Sequence, residues 1–242
     1  METNNTLPRP FHVIAGASKG IGRALVEKAG QAGHSVYAIS RNAPKSPSKY
    51  GQWIKGDVTQ PQSFLEQLPS VINCLTFCPG TVILGPIKRL TTEQMIEAYR
   101  TNVLDAFILI QSLLPRLGRN ENGSIAFLSS VAARSGLPNH CAISTAKSAL
   151  EGFAIALAAD LAPNIRVNVV APTLTPTEMG KRMVGGETAI RMIENKHPLK
   201  KLPGVDEVAA TINFLHSPDA ASITGQILKV DAGLSSLRLN EH

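Results

Sequence analysis

The chain has 242 residues, of which 43% are hydrophobic and 17% are charged, so it can bury a sizeable core. Its net charge is +6, but the basic residues are scattered as pairs, such as Lys88-Arg89, Lys181-Arg182 and Lys200-Lys201, without interleaved aromatic side chains. This pattern argues against a nucleic-acid partner and supports only a modest preference for anions.

The three cysteines, Cys74, Cys78 and Cys141, are odd in number and have no second pair at metal-ligand spacing. They argue against a disulfide scaffold and a metal site, and they favour a reducing compartment. The N-terminus is polar, and no run of about 18 apolar residues occurs along the chain. We therefore expect a soluble, cytoplasmic protein without a membrane partner.

The first predicted element is a βαβ unit. An apolar strand, Phe11–Ala15, is followed by a glycine-rich turn at 16–22, by helical periodicity over 23–31 and by a second strand, Ser35–Ser40. Glycines in such a turn let the backbone approach a pyrophosphate, which the free N–H groups of the helix N-terminus favour. A purely structural tight turn is the alternative interpretation. The turn residues predicted to bind a nucleotide are Gly16, Ser18, Lys19, Gly20, Ile21 and Gly22.

The end of the second strand indicates which nucleotide is bound. A carboxylate there would bond the adenosine ribose hydroxyls and repel a 2′-phosphate, but this chain has Ser40-Arg41. Lys19 adds a second cation near the same position. The two cations favour NADP(H) over NAD(H), unless they are simply solvated surface charges. Asp57 and Val58 follow the third strand, where an adenine could lie between the strand ends.

The remaining strands and helices alternate along the chain without a repeat or a linker. Strands are predicted at 52–55, 71–77, 124–129, 166–171 and 226–230, and helical segments at 63–68, 91–117 with a bend, Cys141–Leu161 and 205–215. Residues 172–201 are charged and lack firm periodicity, so we expect a lid or substrate-binding loop there. The pattern predicts one α/β domain over residues 1–242, a doubly wound, parallel, seven-stranded sheet with helices on both faces.

Two of these helices are candidates for a subunit interface. The Cys141–Leu161 helix carries alanine nearly all round, so it has no obvious solvent face. Together with the 91–117 helix it predicts a homo-oligomer, either a dimer or a tetramer. Close packing inside one chain is the alternative.

Several motifs fall in order along the chain: Gly16-x-x-x-Gly20-x-Gly22, Asp57, Asn102, Ser130, Lys147, the 172–177 segment and the closing 223–233 stretch. Together they resemble the short-chain dehydrogenase/reductase family over nearly the whole chain. The resemblance implies a Rossmann-type fold and NADP(H)-dependent oxidoreduction of a carbonyl or an alcohol on a small-molecule substrate. In that family a serine holds the substrate oxygen and a tyrosine transfers its proton. A lysine four residues later binds the nicotinamide ribose and lowers the phenol pKa, and an asparagine supports a water relay.

By this resemblance Ser130, Lys147 and Asn102 are the predicted catalytic residues, but the tyrosine position is occupied by Ile143. An aliphatic side chain has no proton to give or take. The chain also has Phe77-Cys78-Pro79-Gly80 where the family usually has Asn-Asn-Ala-Gly, and Pro172-Thr173 where it has Pro-Gly. The remaining cofactor-binding residues implied by the resemblance are Cys78, Gly80, Lys147, Pro172, Thr175 and Thr177.

Two hypotheses about function follow from this pattern. The first is an NADP(H)-dependent oxidoreductase of weak or atypical activity, in which water or another residue, such as His140, transfers the proton. The second is a catalytically inactive protein that binds the cofactor, or a regulatory protein. A purely structural homo-oligomer without a cofactor is a third alternative, although the glycine turn and Arg41 would then have no purpose.

Overall fold

Seven short parallel strands form one sheet in the computed structural model, which describes residues 9–117 and 122–239. The strand order is β3-β2-β1-β4-β5-β6-β7. The strands are β1 (Phe11–Ala15), β2 (Ser35–Ser40), β3 (Gly51–Lys55), β4 (Cys74–Phe77), β5 (Gly123–Leu128), β6 (Ile165–Pro172) and β7 (Ile227–Val230). The order reverses between β1 and β4, which is where α/β folds of this kind bind ligands. The predicted doubly wound parallel fold is confirmed.

Helices cover both faces of the sheet. They are α1 (Gly20–Gln31), α2 (Thr92–Tyr99), α3 (Asp105–Leu113), α4 (Cys141–Leu161), α5 (Glu178–Met183), α6 (Glu187–Lys196) and α7 (Val205–His216). The bend predicted within 91–117 is a wider π-helical turn, Arg100–Leu104, between α2 and α3. Such turns shift the register of a helix and are frequent at functional sites.

Side chains along a strand point alternately into two hydrophobic clusters, one on each face of the sheet. Val13 and Ala15 of β1 join the cluster that includes α3 and α4, whereas Ile14 between them joins the cluster of α1 and α7. Successive strand residues point to opposite faces, so a strand that is apolar throughout must be covered on both sides. This is why the apolar runs of the sequence predict a buried parallel sheet.

Three sequence-based expectations need correction. Residues 172–201 are not a loop without structure, since α5 and α6 lie within them. The helical segment predicted at 63–68 is two 3₁₀ turns, Pro61–Ser63 and Leu65–Gln67. The fourth strand begins at Cys74 rather than at residue 71, and just before it the Asn73 side chain accepts a hydrogen bond from the Phe11 amide (2.8 Å).

α4 was expected to lack a solvent face, and here the structure of the single chain differs. One stripe is exposed and contains Thr145, Ser148, Gly152, Ile155 and Ala159. The opposite side is buried. In the described part of the chain, α4 is the one helix long and apolar enough to span a membrane by length and composition. Its buried side includes Lys147 and Glu151 and it packs against β6, which is the environment of a core helix.

Candidate functional site

The glycine turn after β1 is packed too closely to accept other residues. Gly16 and Gly20 have φ angles of +77° and +56°, which favour glycine. A Cβ on Gly16 would lie 2.9 Å from the backbone nitrogen of Pro79, and a Cβ on Gly22 would clash with the Gly16 carbonyl oxygen. The glycines therefore bring the turn against the end of β4 and leave its backbone uncovered.

α1 starts from this turn with free amide groups. Its N-cap residue, Lys19, makes no side-chain capping bond, and the first turn carries no acidic residue. The N–H groups that no side chain caps, together with the helix dipole, therefore favour an anion at this point. The arrangement fits the pyrophosphate of a dinucleotide, as the sequence predicts.

A cavity of about 610 Å³ runs along the carboxyl edge of the strands from this turn. The predicted cofactor residues that line it are Gly16, Ser18, Lys19, Gly20, Ile21, Gly22, Ser40, Arg41, Asp57, Val58, Cys78, Gly80 and Thr177. Its far end reaches Leu128 and Met179. These residues lie at or just after the carboxyl ends of β1 to β5 and in α1 and α5, so the fold brings the predicted nucleotide-binding residues of distant segments to one space.

At the adenosine end of the cavity, local hydrogen bonds fix the polar side chains. Asp57 accepts hydrogen bonds from the Thr59 amide (3.0 Å) and hydroxyl (2.9 Å), and the amide bond is the main reason that the pKa of Asp57 is lowered. Ser40 accepts a bond from the Trp53 indole (2.8 Å) and donates to the Asn42 carbonyl (2.8 Å). Arg41 is exposed beside them and available for an anion.

Asn102 and Lys147 meet beside Gly80. A Cβ on Gly80 would lie 2.8 Å from Asn102 Oδ1 and 3.4 Å from Lys147 Nζ. Asn102 belongs to the π-helical turn and donates to the carbonyls of Ala98 (2.9 Å) and Thr81 (3.2 Å). Its Oδ1 is buried and has no hydrogen-bond partner within the described residues. The absence of a side chain at position 80 thus leaves room for a bridging group between the amide oxygen and the ammonium.

Lys147 is only 7% exposed, and its Nζ donates to the Leu128 carbonyl (2.7 Å). Burial lowers the pKa of Lys147 to about 8. Nearby, burial raises the pKa of the Cys78 thiol to about 12, so this cysteine is neutral and a poor nucleophile. The site therefore contains one titratable cation close to neutrality and no thiolate.

Ser130 and Ile143 complete the predicted catalytic frame. The Ser130 hydroxyl accepts a hydrogen bond from the Ala132 amide (3.2 Å) and donates to no group in the described part of the chain. Ile143 lies one turn before Lys147 on the buried side of α4 and is 3% exposed. His140 is the N-cap residue of α4, where its Nδ1 lies 2.6 Å from the Pro138 carbonyl oxygen.

Some predicted residues do not reach the cavity. Pro172 ends β6 and is buried, and Thr175 is also buried and donates to the Thr173 carbonyl (3.1 Å). Only Thr177 of that segment lines the cavity, and its hydroxyl caps α5 by accepting from the Gly180 amide (3.0 Å). Ser130, Asn102 and Lys147 are not cavity-lining residues either, since its wall at this end is formed by Cys78, Gly80 and Leu128.

Sequence reasoning missed two acidic residues near the site. Glu151 is fully buried and accepts bonds from the Ser129 hydroxyl (2.8 Å) and from Arg134 Nε (2.7 Å). It lies four residues after Lys147, so helical periodicity could have placed it on the same face. Glu178 forms ion pairs with Lys19 (3.4 Å) and Lys45 (3.0 Å). Nothing in the local pattern points to this second contact, because it joins distant segments.

Comparison with known proteins identifies reductases as relatives of this chain. Residues 16–235 match the family model described as enoyl-(acyl carrier protein) reductase. A tropinone reductase homolog of Arabidopsis thaliana is 32% identical over 242 residues, covering 92% of this chain and 89% of that protein. The 3-oxoacyl-[acyl-carrier-protein] reductase FabG of Escherichia coli (strain K12) is 30% identical over 235 residues, covering 92% of this chain and 96% of FabG.

Solved structures with the same fold also include a dehydrogenase and a protein with NADP bound. The ligand-free aldohexose dehydrogenase of Thermoplasma acidophilum superposes with a TM-score of 0.88 at 28% identity, covering 96% of this chain and 98% of that one. ElxO with NADP bound superposes with a TM-score of 0.85 at 25% identity, covering 95% of this chain and 100% of that one. By its fold, its motifs and these relatives, the chain belongs to the short-chain dehydrogenase/reductase family of oxidoreductases.

Proposed function

We propose that this protein binds NADP(H) in the 610 Å³ cavity and acts on a small carbonyl or alcohol with weak or atypical turnover. The observation that carries the proposal is the combination of Asn102 and Lys147 beside Gly80 with a buried isoleucine at position 143. The polar frame that would hold the nicotinamide ribose is retained, whereas the position of the proton donor carries an aliphatic side chain.

The preference for NADP(H) is supported by charge. The cavity has Lys19 and Arg41 at the end where the adenosine ribose would lie, and β2 ends without a carboxylate. Arg41 is exposed, so it can turn toward a 2′-phosphate, whose geometry suits a guanidinium. The neighbouring structure of ElxO with NADP bound is consistent with this choice.

When bound, NADP(H) would supply or take up the hydride that interconverts a carbonyl and an alcohol. The chain's own residues must hold the substrate oxygen and provide or remove its proton. Ser130 has a hydroxyl proton free to donate to such an oxygen. Lys147, with its pKa lowered to about 8, can exchange a proton with a water beside Asn102 Oδ1. Ile143 can do neither, so the proton step depends on water.

A second candidate is a protein that binds the cofactor without turnover, in a regulatory role. It is favoured by the hydrogen bond that Lys147 Nζ donates to the Leu128 carbonyl and by the aliphatic, buried side chain of Ile143, which leave neither position free to protonate a substrate directly. His140 is a weak substitute, since its Nδ1 already faces the Pro138 carbonyl.

We also propose that the protein is a cytoplasmic homo-oligomer. Four apolar side chains, from α2, the π-helical turn, α3 and α4, are 42% to 45% exposed in the single chain: Tyr99, Leu104, Phe107 and Ile155. A second copy that covered these helices would bury this surface. The three free cysteines are consistent with a reducing compartment.

Cofactor titration followed by a carbonyl panel tests the proposal. We expect saturable NADPH binding and turnover that rises about a hundredfold or more in Ile143→Tyr, since a positioned general acid contributes about 10² to 10⁴ in rate. Ile143→Phe is the matched control, because it adds a ring of the same size without the hydroxyl. Absence of NADPH binding would refute the proposal, and wild-type turnover equal to that of Ile143→Tyr would refute its atypical part.

A further inference from the structure

Glu178, the first residue of α5, connects three separate segments of the chain. Its Oε2 lies 3.4 Å from Nζ of Lys19 in the glycine turn, and its Oε1 lies 3.0 Å from Nζ of Lys45 in the loop after β2. Through these two ion pairs the start of α5 is tied across the turn that would receive the cofactor phosphates. No other described residue forms an ion pair with either lysine.

The three residues surround a second cavity of about 380 Å³, which shares Ser18, Lys19, Asn42 and Glu178 with the larger cavity. Its remaining lining residues are Arg23, Ala43, Lys45 and Ser46. Arg23 is already occupied by Glu27 (2.6 Å) and by the Ser46 carbonyl (3.2 Å). The ammonium groups of Lys19 and Lys45 are thus the cations of this cavity that an incoming anion could take.

In this structure the Glu178 carboxylate is the anion that binds both ammonium groups. The hydrogen bond from Lys45, followed by its charge and then by Lys19, lowers the pKa of Glu178, so the carboxylate is ionised at neutral pH. The side chains of Lys19 and Lys45 are 59% and 92% exposed, and that of Glu178 is 43% exposed. Ion pairs this exposed are weak and exchange readily with other anions.

We propose that Glu178 determines the selectivity between phosphorylated and unphosphorylated nicotinamide dinucleotides by competing with the 2′-phosphate for Lys19 and Lys45. Binding of the phosphate displaces the carboxylate and releases the start of α5 from the glycine turn, whereas NAD(H) leaves the bridge in place. The inference rests on the proposed function, in that the larger cavity must first accept a nicotinamide dinucleotide. It adds to that function a role for Glu178, which lowers the affinity for NADP(H).

The dissociation constants of NADPH and NADH, measured by titration calorimetry at low ionic strength, test this role. In Glu178→Gln we expect NADPH to bind about three- to tenfold more tightly, which corresponds to the loss of two exposed ion pairs, and NADH affinity to change less than about twofold. Glu187→Gln is the matched control: it removes the same charge from the start of α6, where Glu187 is exposed and forms no ion pair among the described residues.

A double variant separates competition from a structural effect. Lys45→Met should weaken NADPH binding, and adding Glu178→Gln to it should restore less affinity than Glu178→Gln gives in the wild type, because the two residues share one interaction. Unchanged or weaker NADPH binding in Glu178→Gln, with wild-type binding intact, would overturn the inference alone. If the wild type binds neither dinucleotide, the proposed function fails and the inference fails with it.

Discussion

Lowering the pH from 7 to 5 should destabilise this fold through histidines buried at the end of the sheet away from the site. His12 Nε2 lies 2.8 Å from Thr76 Oγ1, which lies 2.8 Å from His216 Nε2, and His216 Nδ1 lies 3.0 Å from Ser124 Oγ. The rings of His12 and His216 are 4.6 Å apart, and that of His34 is 5.5 Å from His12. Protonating His12 or His216 places a charge in this buried chain, and the partly exposed His34 lies against it.

Burial lowers the pKa of all three histidines, and that of His216 falls to about 3. Between the unfolded pKa of about 6.5 and this value, the unfolded chain binds a proton that the folded chain rejects, so stability is lost as the pH falls. At about 1.4 kcal/mol per pH unit, His216 alone costs about 2 kcal/mol at pH 5. His12 and His34 act in the same direction, and the charge of Arg166 also disfavours protonation of His216.

Urea unfolding followed by circular dichroism at pH 7, 6 and 5 measures this effect. We expect His216→Gln to lose about 2 kcal/mol less than the wild type between pH 7 and pH 5, with each protein referred to its own stability at pH 7. His140→Gln is the control, because it changes a histidine at the N-terminus of α4, outside the buried chain. Equal losses in the wild type and in His216→Gln would refute the reasoning.

Three further predictions concern the site. Gly22→Ala should weaken NADPH binding at least tenfold, because its Cβ would clash with the Gly16 carbonyl; Gly152→Ala, whose Cβ meets nothing within 4 Å, should leave titrated affinity unchanged. NADPH affinity should decline as the pH rises through about 8, where Lys147 loses its charge, and a Lys147→Met variant that kept this pH dependence would contradict the assignment. Glu151→Leu should lower the free energy of unfolding by about 1 to 3 kcal/mol, because it leaves buried Ser129 unpaired; an unchanged urea midpoint would argue otherwise.

Local patterns were sufficient to predict most of the secondary structure. The bounds of β1, β2 and α4 agree with the sequence-based expectation, since apolar runs, glycine turns and helical periodicity are properties of neighbouring residues. α5 and α6 were missed for the converse reason. Neither helix has a fully apolar face, and among their residues only Gly180 is buried, so the hydrophobic pattern that marks a core helix is absent.

The site was predicted in part. Motif order predicted the glycine turn, which lines the cavity, and it also predicted Asn102, Lys147, Pro172 and Thr175, which do not line it. The difference lies in how the chain leaves β6: Thr175 turns inward to bond the Thr173 carbonyl, and only Thr177 emerges at the cavity wall. The spacing of residues along the chain cannot predict which threonine faces the cavity. Their orientation depends on which backbone groups nearby still need a hydrogen-bond partner.

The sequence by itself determined the parallel α/β fold and the glycine turn, and its family resemblance predicts that Ile143 replaces a proton-donating side chain. Only the tertiary structure decided that Asn102 Oδ1 and Lys147 Nζ share the space beside Gly80 and that Glu178 bridges two lysines. It also decided that the His34 and His216 rings pack against the His12 ring. The physical reason is sequence separation. The Glu178–Lys19 pair joins residues 159 positions apart, and the Thr76–His216 bond joins residues 140 apart. Contacts of that range arise from packing and leave no periodic trace in the chain.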